Sequence, residues 1–152
     1  MTVSFESRTV IGAPAELVFD LSRDVDAHLQ SQARSRERAI GGVTSGTIGL
    51  GEQVTWRAVH FGIPFRLTSK VTELDRPHRF VDEQVRGPFR AFRHEHRFEE
   101  HDGETVMIDH VEFDAPLGPI GRLVERIALG NYLRKLIEQR GAFLKRLAEQ
   151  QS

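Results

Sequence analysis

The stretch from residue 92 to residue 113 predicts a β-hairpin, and this hairpin constrains the fold more than any other part of the chain. Apolar and polar residues alternate through both halves, which is typical of strands with one buried face. Asp102-Gly103 separates the halves, and this dipeptide favours a two-residue type I′ turn. The turn predicts four cross-strand pairs: Phe98 with Met107, His96 with Asp109, His94 with Val111, and Phe92 with Phe113.

In this register the apolar faces of both strands coincide. A slip of one residue would turn the apolar set of one strand outward, so the turn and the periodicity favour the same pairing. Counting from the turn makes His96 and Asp109 a non-hydrogen-bonded pair, with Cα atoms about 4.5 Å apart and side chains within reach of each other. We therefore expect a histidine and an aspartate side by side on a buried face.

Length and composition favour one domain over residues 1–152 and exclude several classes of function. A net charge of −1 gives no electrostatic basis for general nucleic-acid binding. The absence of cysteine excludes disulfides and thiolate chemistry. No leader pattern and no apolar run of about eighteen residues is found. We predict a cytoplasmic protein with neither membrane insertion nor a nucleic-acid partner, while the oligomeric state stays open.

The remaining pattern predicts an antiparallel meander. A short helix is expected to open at residues 13–16, a second around residues 24–30, and a mobile loop at residues 41–51, which hold five glycines. The inner face of the strand at residues 78–86 stays open, because two alternating sets compete for it. Strands are expected at residues 2–11, 52–61, 63–74, 78–86, 89–100 and 104–114.

A second hairpin is predicted around the Phe61-Gly62 loop. It places Val54, Trp56 and Ala58 across from Ser69, Leu67 and Phe65, with His60 at the end of the same face.

After Pro116 and Pro119 the apolar residues follow a helical period, which predicts a long amphipathic helix with a possible division at Gly130-Asn131. Its apolar stripe comprises Ile120, Leu123, Val124, Ile127, Leu133, Leu136, Ile137, Leu144 and Leu147.

This order of elements resembles the helix-grip fold of the START, Bet v 1 and polyketide-cyclase superfamily, written SRPBCC. The most specific local match is VIGAPAELVFD at residues 10–20, and Gly87-Pro88-Phe89 followed by residues 94–98 is similar to a bacterial subgroup. The resemblance covers essentially the whole chain. It implies an α+β fold, in which a curved antiparallel sheet of about seven strands wraps around the long C-terminal helix and leaves a cavity for hydrophobic ligands.

The family includes lipid carriers, hormone receptors, cyclases and oxygenase domains, so the resemblance implies no particular reaction. Our first hypothesis is a protein that binds a small hydrophobic molecule, such as a lipid, an isoprenoid or an aromatic, polyketide-like metabolite. Its walls would be aromatic and apolar side chains with a few polar groups, although the same residues could simply fill a core. The candidate ligand-binding residues are Trp56, His60, Phe65, Phe92, His94, Phe98, Met107, Val111 and Phe113.

The second hypothesis is a cyclase, aromatase or dehydratase. His96 would be the general base, with Asp109 fixing its tautomer. The same pair could instead be a satisfied polar pair that pins the register. A third possibility is a protein-interaction module without a ligand.

A metal site at His94, His96 and Asp109, with His60 as a further partner, is the weaker interpretation. Side chains two residues apart on a strand lie about 7 Å apart, so convergence on one ion would need strand curvature or a third partner. We predict no cofactor.

Overall fold

Seven strands and three α-helices account for most of the described chain. This computed structural model describes residues 2–115 and 123–152, and its side chains outside residues 123–127. A 3₁₀ turn at Ala33–Ser35 follows the second helix. In chain order the elements are β1 (Thr2–Ile11), α1 (Ala15–Ser22), α2 (Val25–Ser31), β2 (Arg38–Gly42), β3 (Gln53–His60), β4 (Ile63–Asp75), β5 (Arg79–Arg86), β6 (Ala91–His101), β7 (Glu104–Asp114) and α3 (Leu123–Gln151).

The strands form one sheet in the order β1-β7-β6-β5-β4-β3-β2. Each neighbouring pair is antiparallel. Strands β2 to β7 are therefore a meander, and β1 joins it beside β7. The six strands named from the sequence are confirmed, as is the α+β class with a long C-terminal helix.

Two-residue turns set the register of both predicted hairpins. Asp102 and Gly103 have φ angles of 54° and 79°, and Phe61 and Gly62 have φ angles of 56° and 74°. Positive φ at both positions defines the type I′ turn, whose twist matches that of the strands. The predicted cross-strand pairs are confirmed in β6–β7 and in β3–β4.

The segment 41–51 is more ordered than its glycine content predicts. Gly41 and Gly42 belong to β2, a strand that the sequence analysis missed. Gly42 has a φ of 67°, and a Cβ there would lie 2.1 Å from the Gln53 carbonyl oxygen, so only glycine fits. Beyond β2, the Ile48 amide donates to the Arg23 carbonyl, and Ile48 is buried. The expectation of irregular structure is therefore wrong for Gly41 and Gly42 and correct for residues 43–51, and the expected mobility of the loop stays a prediction.

Strand β5 presents Phe80 and Asp82 to the inner face. Phe80 lies opposite His96 and Asp82 opposite His94. Val81 is also fully buried, although it points the other way, which is why alternation alone did not settle the face. Register shifts between β4 and β5 bend this part of the sheet.

Helix α3 packs along the inner face of the sheet. Leu144 and Ala148 belong to a core with Phe19, while Leu133 and Ile137 pack against a cluster around Phe113. No helix in the described residues is long and apolar enough to cross a membrane.

The helix is continuous from Leu123 to Gln151, so the expected division at Gly130-Asn131 is wrong. Gly130 instead faces the sheet: a Cβ at this residue would lie 3.6 Å from Val3. Pro116, Pro119 and Ile120 lie outside the described residues, as do the side chains of Leu123, Val124 and Ile127.

Candidate functional site

Five buried or partly buried polar side chains converge between the sheet and α3. His94 and His96 come from β6, Asp109 from β7, Asp82 from β5 and Arg140 from α3. We call this set the polar cluster. Relative exposure is 6% for His94, 3% for His96, 0% for Asp109 and 4% for Arg140, whereas the Asp82 side chain is 25% exposed. Burial of so many ionisable groups requires that they be paired with one another.

Hydrogen bonds in the polar cluster run diagonally across the sheet. His94 Nε2 lies 2.8 Å from Asp109 Oδ1, and His96 Nε2 lies 2.7 Å from Asp82 Oδ2. The directly opposed pair is looser, with 3.3 Å between His96 Nδ1 and Asp109 Oδ1 and no hydrogen bond from that nitrogen to any described residue. Each histidine is therefore oriented by a different carboxylate, and the carboxylate bound to His96 belongs to β5.

The histidine rings stack rather than spread apart. The centroids of His94 and His96 are 3.7 Å apart with an interplanar angle of 21°, and Phe80 covers the other face of His96 at 4.0 Å. Both imidazoles are thereby fixed in orientation by packing as well as by hydrogen bonds.

Arg140 supplies the positive charge closest to Asp109. Its Nη1 donates to Asp109 Oδ1 at 3.4 Å and its Nη2 donates to the Ser22 carbonyl at 3.1 Å. Asp109 Oδ2 is buried with no hydrogen-bond partner in the described residues. The carboxylate thus concentrates its contacts on one oxygen, which joins α3 to β6 and β7.

Burial and neighbouring charges shift the pKa values of His94, Asp82 and Asp109. Burial and the neighbouring His96 lower the pKa of His94 to about 4, against the opposing effect of Asp109. Burial is the largest single influence on Asp82 and acts to raise its pKa, but the hydrogen bond from His96 and the charges of His96, His94 and Arg140 together outweigh burial and lower that pKa to about 2. Burial opposes ionisation of Asp109 too, yet its bonds to the histidines hold its pKa well below the usual range. At neutral pH both carboxylates are ionised and His94 is neutral.

A cavity of about 100 Å³ opens onto this cluster, and we call it the polar cavity after the polar cluster in its wall. Its wall includes His94, His96, Asp82 and Arg140, together with Trp56. The volume is enough for several water molecules or a small polar group.

A second, apolar cavity of about 260 Å³ lies between the β3–β4 hairpin and α3. Its polar side chains are few, and two of them are joined: His60 Nδ1 lies 2.7 Å from the Tyr132 hydroxyl oxygen. Burial lowers the pKa of His60 and raises that of Tyr132. The lining is Glu37, Trp56, Ala58, His60, Phe61, Phe65, Leu67, Pro88, Phe89, Phe92, Leu129, Tyr132 and Leu133.

Trp56 contributes to the wall of both cavities. Its ring packs on His28 with centroids 4.3 Å apart, and His28 is in turn bound to Glu37 through Nε2 at 2.6 Å. Trp56 is therefore the residue that the two linings share.

The structure distributes the residues singled out in the sequence over three environments. Trp56, His60, Phe65 and Phe92 line the apolar cavity, and His94 and His96 line the polar cavity. Asp109 lies behind the histidines and lines neither cavity. The remaining candidates are buried outside the linings of these two cavities: Phe98, Met107, Val111 and Phe113.

Sequence reasoning missed Asp82, Arg140 and Tyr132 as site residues. Arg140 could have been found, because it interrupts the apolar stripe of α3 between Ile137 and Leu144 where an apolar residue is expected. An arginine at such a position points to a buried anionic partner.

The metal ligand set that the geometry offers differs from the predicted one. Ligand atoms of Asp82, His94 and His96 lie within 4.8 Å of one another. Ligands of a single Zn²⁺, each at about 2 Å, are at most about 4 Å apart. Both histidine Nε2 atoms already contact carboxylates, so this arrangement is a hydrogen-bonded network that would have to contract and lose those bonds to hold an ion.

Comparison with known proteins gives a family match over most of the chain. Residues 2–149 match the family model described as polyketide cyclase / dehydrase and lipid transport. No curated protein matches the chain in a sequence search.

Among solved structures, the chain is similar to TTHA0849 from Thermus thermophilus, with a TM-score of 0.73 and 16% identity over 93% of this chain and 97% of that one. It is also similar to Ara h 8.0201, with a TM-score of 0.66 and 13% identity over 95% and 98%. A third similar structure is ginseng major latex-like protein 151 from Panax ginseng, with a TM-score of 0.61 and 12% identity over 93% and 96%. At these identities the likeness shows the fold.

Proposed function

We propose that this chain, a member of the polyketide cyclase, dehydrase and lipid-transport family, binds a small, largely apolar molecule in the apolar cavity. The family agrees with the SRPBCC resemblance predicted from the sequence. The observation that supports this most is the lining of that cavity, which is almost entirely aromatic and aliphatic. Ligand sites typically combine such walls with a few polar groups that fix orientation. Residence in the cytoplasm, predicted from the composition, stays a prediction.

The cavity favours a compact and neutral ligand. Its volume of about 260 Å³ lies near the lower end of ligand pockets, which span about 300–1,000 Å³. The His60–Tyr132 pair offers a hydroxyl and an imidazole for one hydrogen bond, and burial disfavours the charged form of both groups. A ring system or a short isoprenoid with one carbonyl or hydroxyl group fits these requirements.

The test is to fill the cavity without changing the fold. Ala58 lines the cavity and is buried, so Ala58→Phe should occupy part of the volume. Ala142 on α3 is exposed, and Ala142→Phe is the matched control. Using the neutral fluorophore N-phenyl-1-naphthylamine, we expect the wild type and Ala142→Phe to bind alike and Ala58→Phe to bind at least tenfold more weakly, that is, by about 1.4 kcal/mol.

Equal binding by both variants would contradict the proposal. Native mass spectrometry of the freshly purified protein, followed by solvent extraction, would then identify any molecule carried through purification. A stoichiometric organic mass would support the binding function directly.

A second candidate function is an enzyme of the cyclase or dehydratase type. It is favoured by the polar cluster, in which His96 is bound to Asp82 and lies close to Asp109. The polar cavity beside His96 shares the wall residue Trp56 with the apolar cavity. Nδ1 of His96, which has no hydrogen bond to the described residues, would take the proton from carbon next to a carbonyl. Asp82 would accept from Nε2–H and so orient the imidazole beside the predicted partner Asp109.

Proton exchange separates the two functions. An enzyme of this kind should exchange deuterium from solvent into the α-carbon of a bound ketone, measured by mass spectrometry. His96→Gln should abolish the exchange while leaving binding of the fluorophore within about threefold of wild type, because His96 lies outside the apolar cavity. Exchange that survives in His96→Gln would remove the role of His96 as the base.

A further inference from the structure

The β3–β4 hairpin ends in a turn that departs from the rule followed by the β6–β7 hairpin. In the β6–β7 hairpin the first turn position is Asp102, and Asp is among the residues that a type I′ turn favours. In the β3–β4 hairpin the same position is Phe61, with a φ of 56° and 73% of its surface exposed. A bulky residue at positive φ is strained. Phe61 is therefore unfavourable at this position for two reasons: its backbone conformation is strained, and its apolar ring is exposed to water.

Neighbouring residues extend this exposed apolar surface. Ile63 is 55% exposed, Pro64 is exposed, and residues 60–64 contain no acidic side chain. The Phe61 ring also lines the apolar cavity and lies 4.7 Å from the Tyr132 ring, so this tip is part of the rim. Across the rim, residues 86–90 also lack acidic side chains and include two exposed arginines.

An arginine row crosses the outer face of the sheet behind this tip. Arg38 lies directly opposite Arg57 in β2–β3, and Arg57 lies directly opposite Arg66 in β3–β4. Trp56 and Phe65 point inward, so the alternation turns Arg57 and Arg66 outward. Like charges directly opposite each other destabilise a sheet.

Two other arginines on the outer face are paired with a carboxylate. Arg79 and Arg93 each contact Glu73. Within residues 2–115 and 123–152, no side chain of the arginine row forms such an ion pair with a carboxylate whose position the structure describes. Among the side chains that the structure describes, the row therefore carries positive charge without a paired carboxylate, and it is complementary to an anionic partner.

We propose that the tip at residues 61–64 and the arginine row form a peripheral docking surface for an anionic lipid bilayer. The row lies about four residues behind the turn, which is about 13 Å at about 3.3 Å per residue. Apolar elements at a bilayer interface insert about 5–10 Å, so a tip inserted in this way leaves the guanidinium groups at the level of the lipid phosphates. A nucleic acid would offer the arginines phosphates but no apolar phase for Phe61 and Ile63.

Vesicle co-sedimentation of the full chain tests this surface without any cavity ligand, and so separately from the proposed function. We expect binding to vesicles of phosphatidylcholine mixed with phosphatidylserine, no binding to phosphatidylcholine alone, and weaker binding at high salt because screening shortens the reach of the arginines. Phe61→Asn should weaken binding about tenfold or more. Its melting temperature should not fall, because Asn suits a type I′ turn.

Matched controls identify the surface. Leu50 is 60% exposed and lies near the other end of β3, so Leu50→Asn should bind like the wild type. Arg57→Gln or Arg66→Gln should weaken binding about fivefold, whereas Arg146→Gln, an exposed position on α3, should not.

Three results would overturn the proposal. The first is wild-type protein that does not bind the anionic vesicles, and the second is an equal loss in Leu50→Asn and Phe61→Asn. The third is a concentration-dependent dimer in light scattering that Phe61→Asn abolishes, because this result would assign the surface to a second copy of the chain.

Discussion

Asp109 is the residue on which the polar cluster depends. It is fully buried, and one of its oxygens contacts His94, His96 and Arg140. A buried ion pair is expensive to form, but removing one partner is more costly because the remaining charge keeps its desolvation penalty. The stability of the site therefore depends on matched charges more than on any single hydrogen bond.

Asp109→Asn should lower the free energy of unfolding by roughly 3–5 kcal/mol, because it leaves the Arg140 guanidinium buried without its anion. Adding Arg140→Met to that variant should restore part of the loss, since the uncompensated charge is then gone. Urea denaturation of the wild type, both single variants and the double variant gives the coupling energy. Simple additivity of the two losses would contradict direct coupling of these residues.

His94 predicts a loss of stability in mild acid. Its pKa is about 4 in the folded protein and 6.5 in the unfolded chain. Between these values the unfolded chain binds the additional proton, so the free energy of unfolding decreases as pH falls from about 6.5 to about 4. The expected decrease is roughly 3 kcal/mol.

Denaturation midpoints measured across this pH range check the prediction, with His94→Gln as the matched variant. Glutamine does not titrate here, so the slope between pH 6.5 and pH 4 should largely disappear. A slope that is unchanged in His94→Gln would assign the acid sensitivity to another group.

At the scale of residues, the sequence predicts which side chains of the polar cluster lie opposite each other, but not which of them form hydrogen bonds. Alternation and the Asp102-Gly103 turn are local, and they determine that His96 lies opposite Asp109. The hydrogen-bond partner of His96 is Asp82, which reaches it from β5 across register shifts that local patterns do not reveal. The contact of Arg140 spans 31 residues of sequence, so only the packed fold brings it together with Asp109.

At the scale of elements, two glycines of α3 govern how closely the helix approaches the sheet. A Cβ on Gly141 would lie 2.6 Å from Thr9 Oγ1, whereas a Cβ on Gly130 would lie 3.6 Å from Val3. The first distance is a clash and the second is an ordinary contact. Close packing of α3 against β1 therefore requires glycine at residue 141 but tolerates alanine at residue 130.

Gly141→Ala should destabilise the fold by about 1–3 kcal/mol, because the added methyl group forces α3 and β1 apart. Gly130→Ala is the matched control. It should be neutral or stabilising by up to about 1 kcal/mol, since alanine has the higher helix propensity. Thermal denaturation of both variants is sufficient, and equal effects would contradict a specific contact at Gly141.

The sequence predicts the long strands more readily than it predicts β2 or the continuity of α3. Long strands with period-two patterns and two-residue turns were found from the sequence alone. β2 was missed because Gly41 and Gly42 suggest a loop, and its pairing with β3 follows from close backbone approach rather than from side-chain alternation. The helix was expected to divide at Gly130 on propensity, but its packing against the sheet overrides that preference.

At the scale of the whole molecule, the two cavities are separate spaces, and under the proposed function their sizes would limit which ligands fit. The apolar cavity has about 260 Å³ and the polar cavity about 100 Å³, and Trp56 belongs to both walls. Trp56→Ala should join them, so that a longer molecule with a polar end can reach the histidines. Its expected cost in stability is about 3–5 kcal/mol.

Displacement of N-phenyl-1-naphthylamine by a homologous series of linear alcohols checks this prediction. The longest alcohol that competes should be longer for Trp56→Ala than for the wild type. Leu29→Ala, which removes a partly buried apolar side chain outside both cavity linings, is the control for a general loosening of the fold. An identical length limit in all three proteins would contradict a partition at Trp56.

Trp56 is also the only tryptophan in the chain. Its indole packs on the His28 imidazole and borders both cavities. Nearly all of the long-wavelength ultraviolet fluorescence of this protein therefore originates beside the cavities in which we propose that a ligand binds. Binding of a ligand in either cavity, or loss or entry of water there, should change the emission maximum and the fluorescence lifetime of Trp56. The molecule therefore carries a built-in optical reporter, and ligands can be screened in solution without attaching any label.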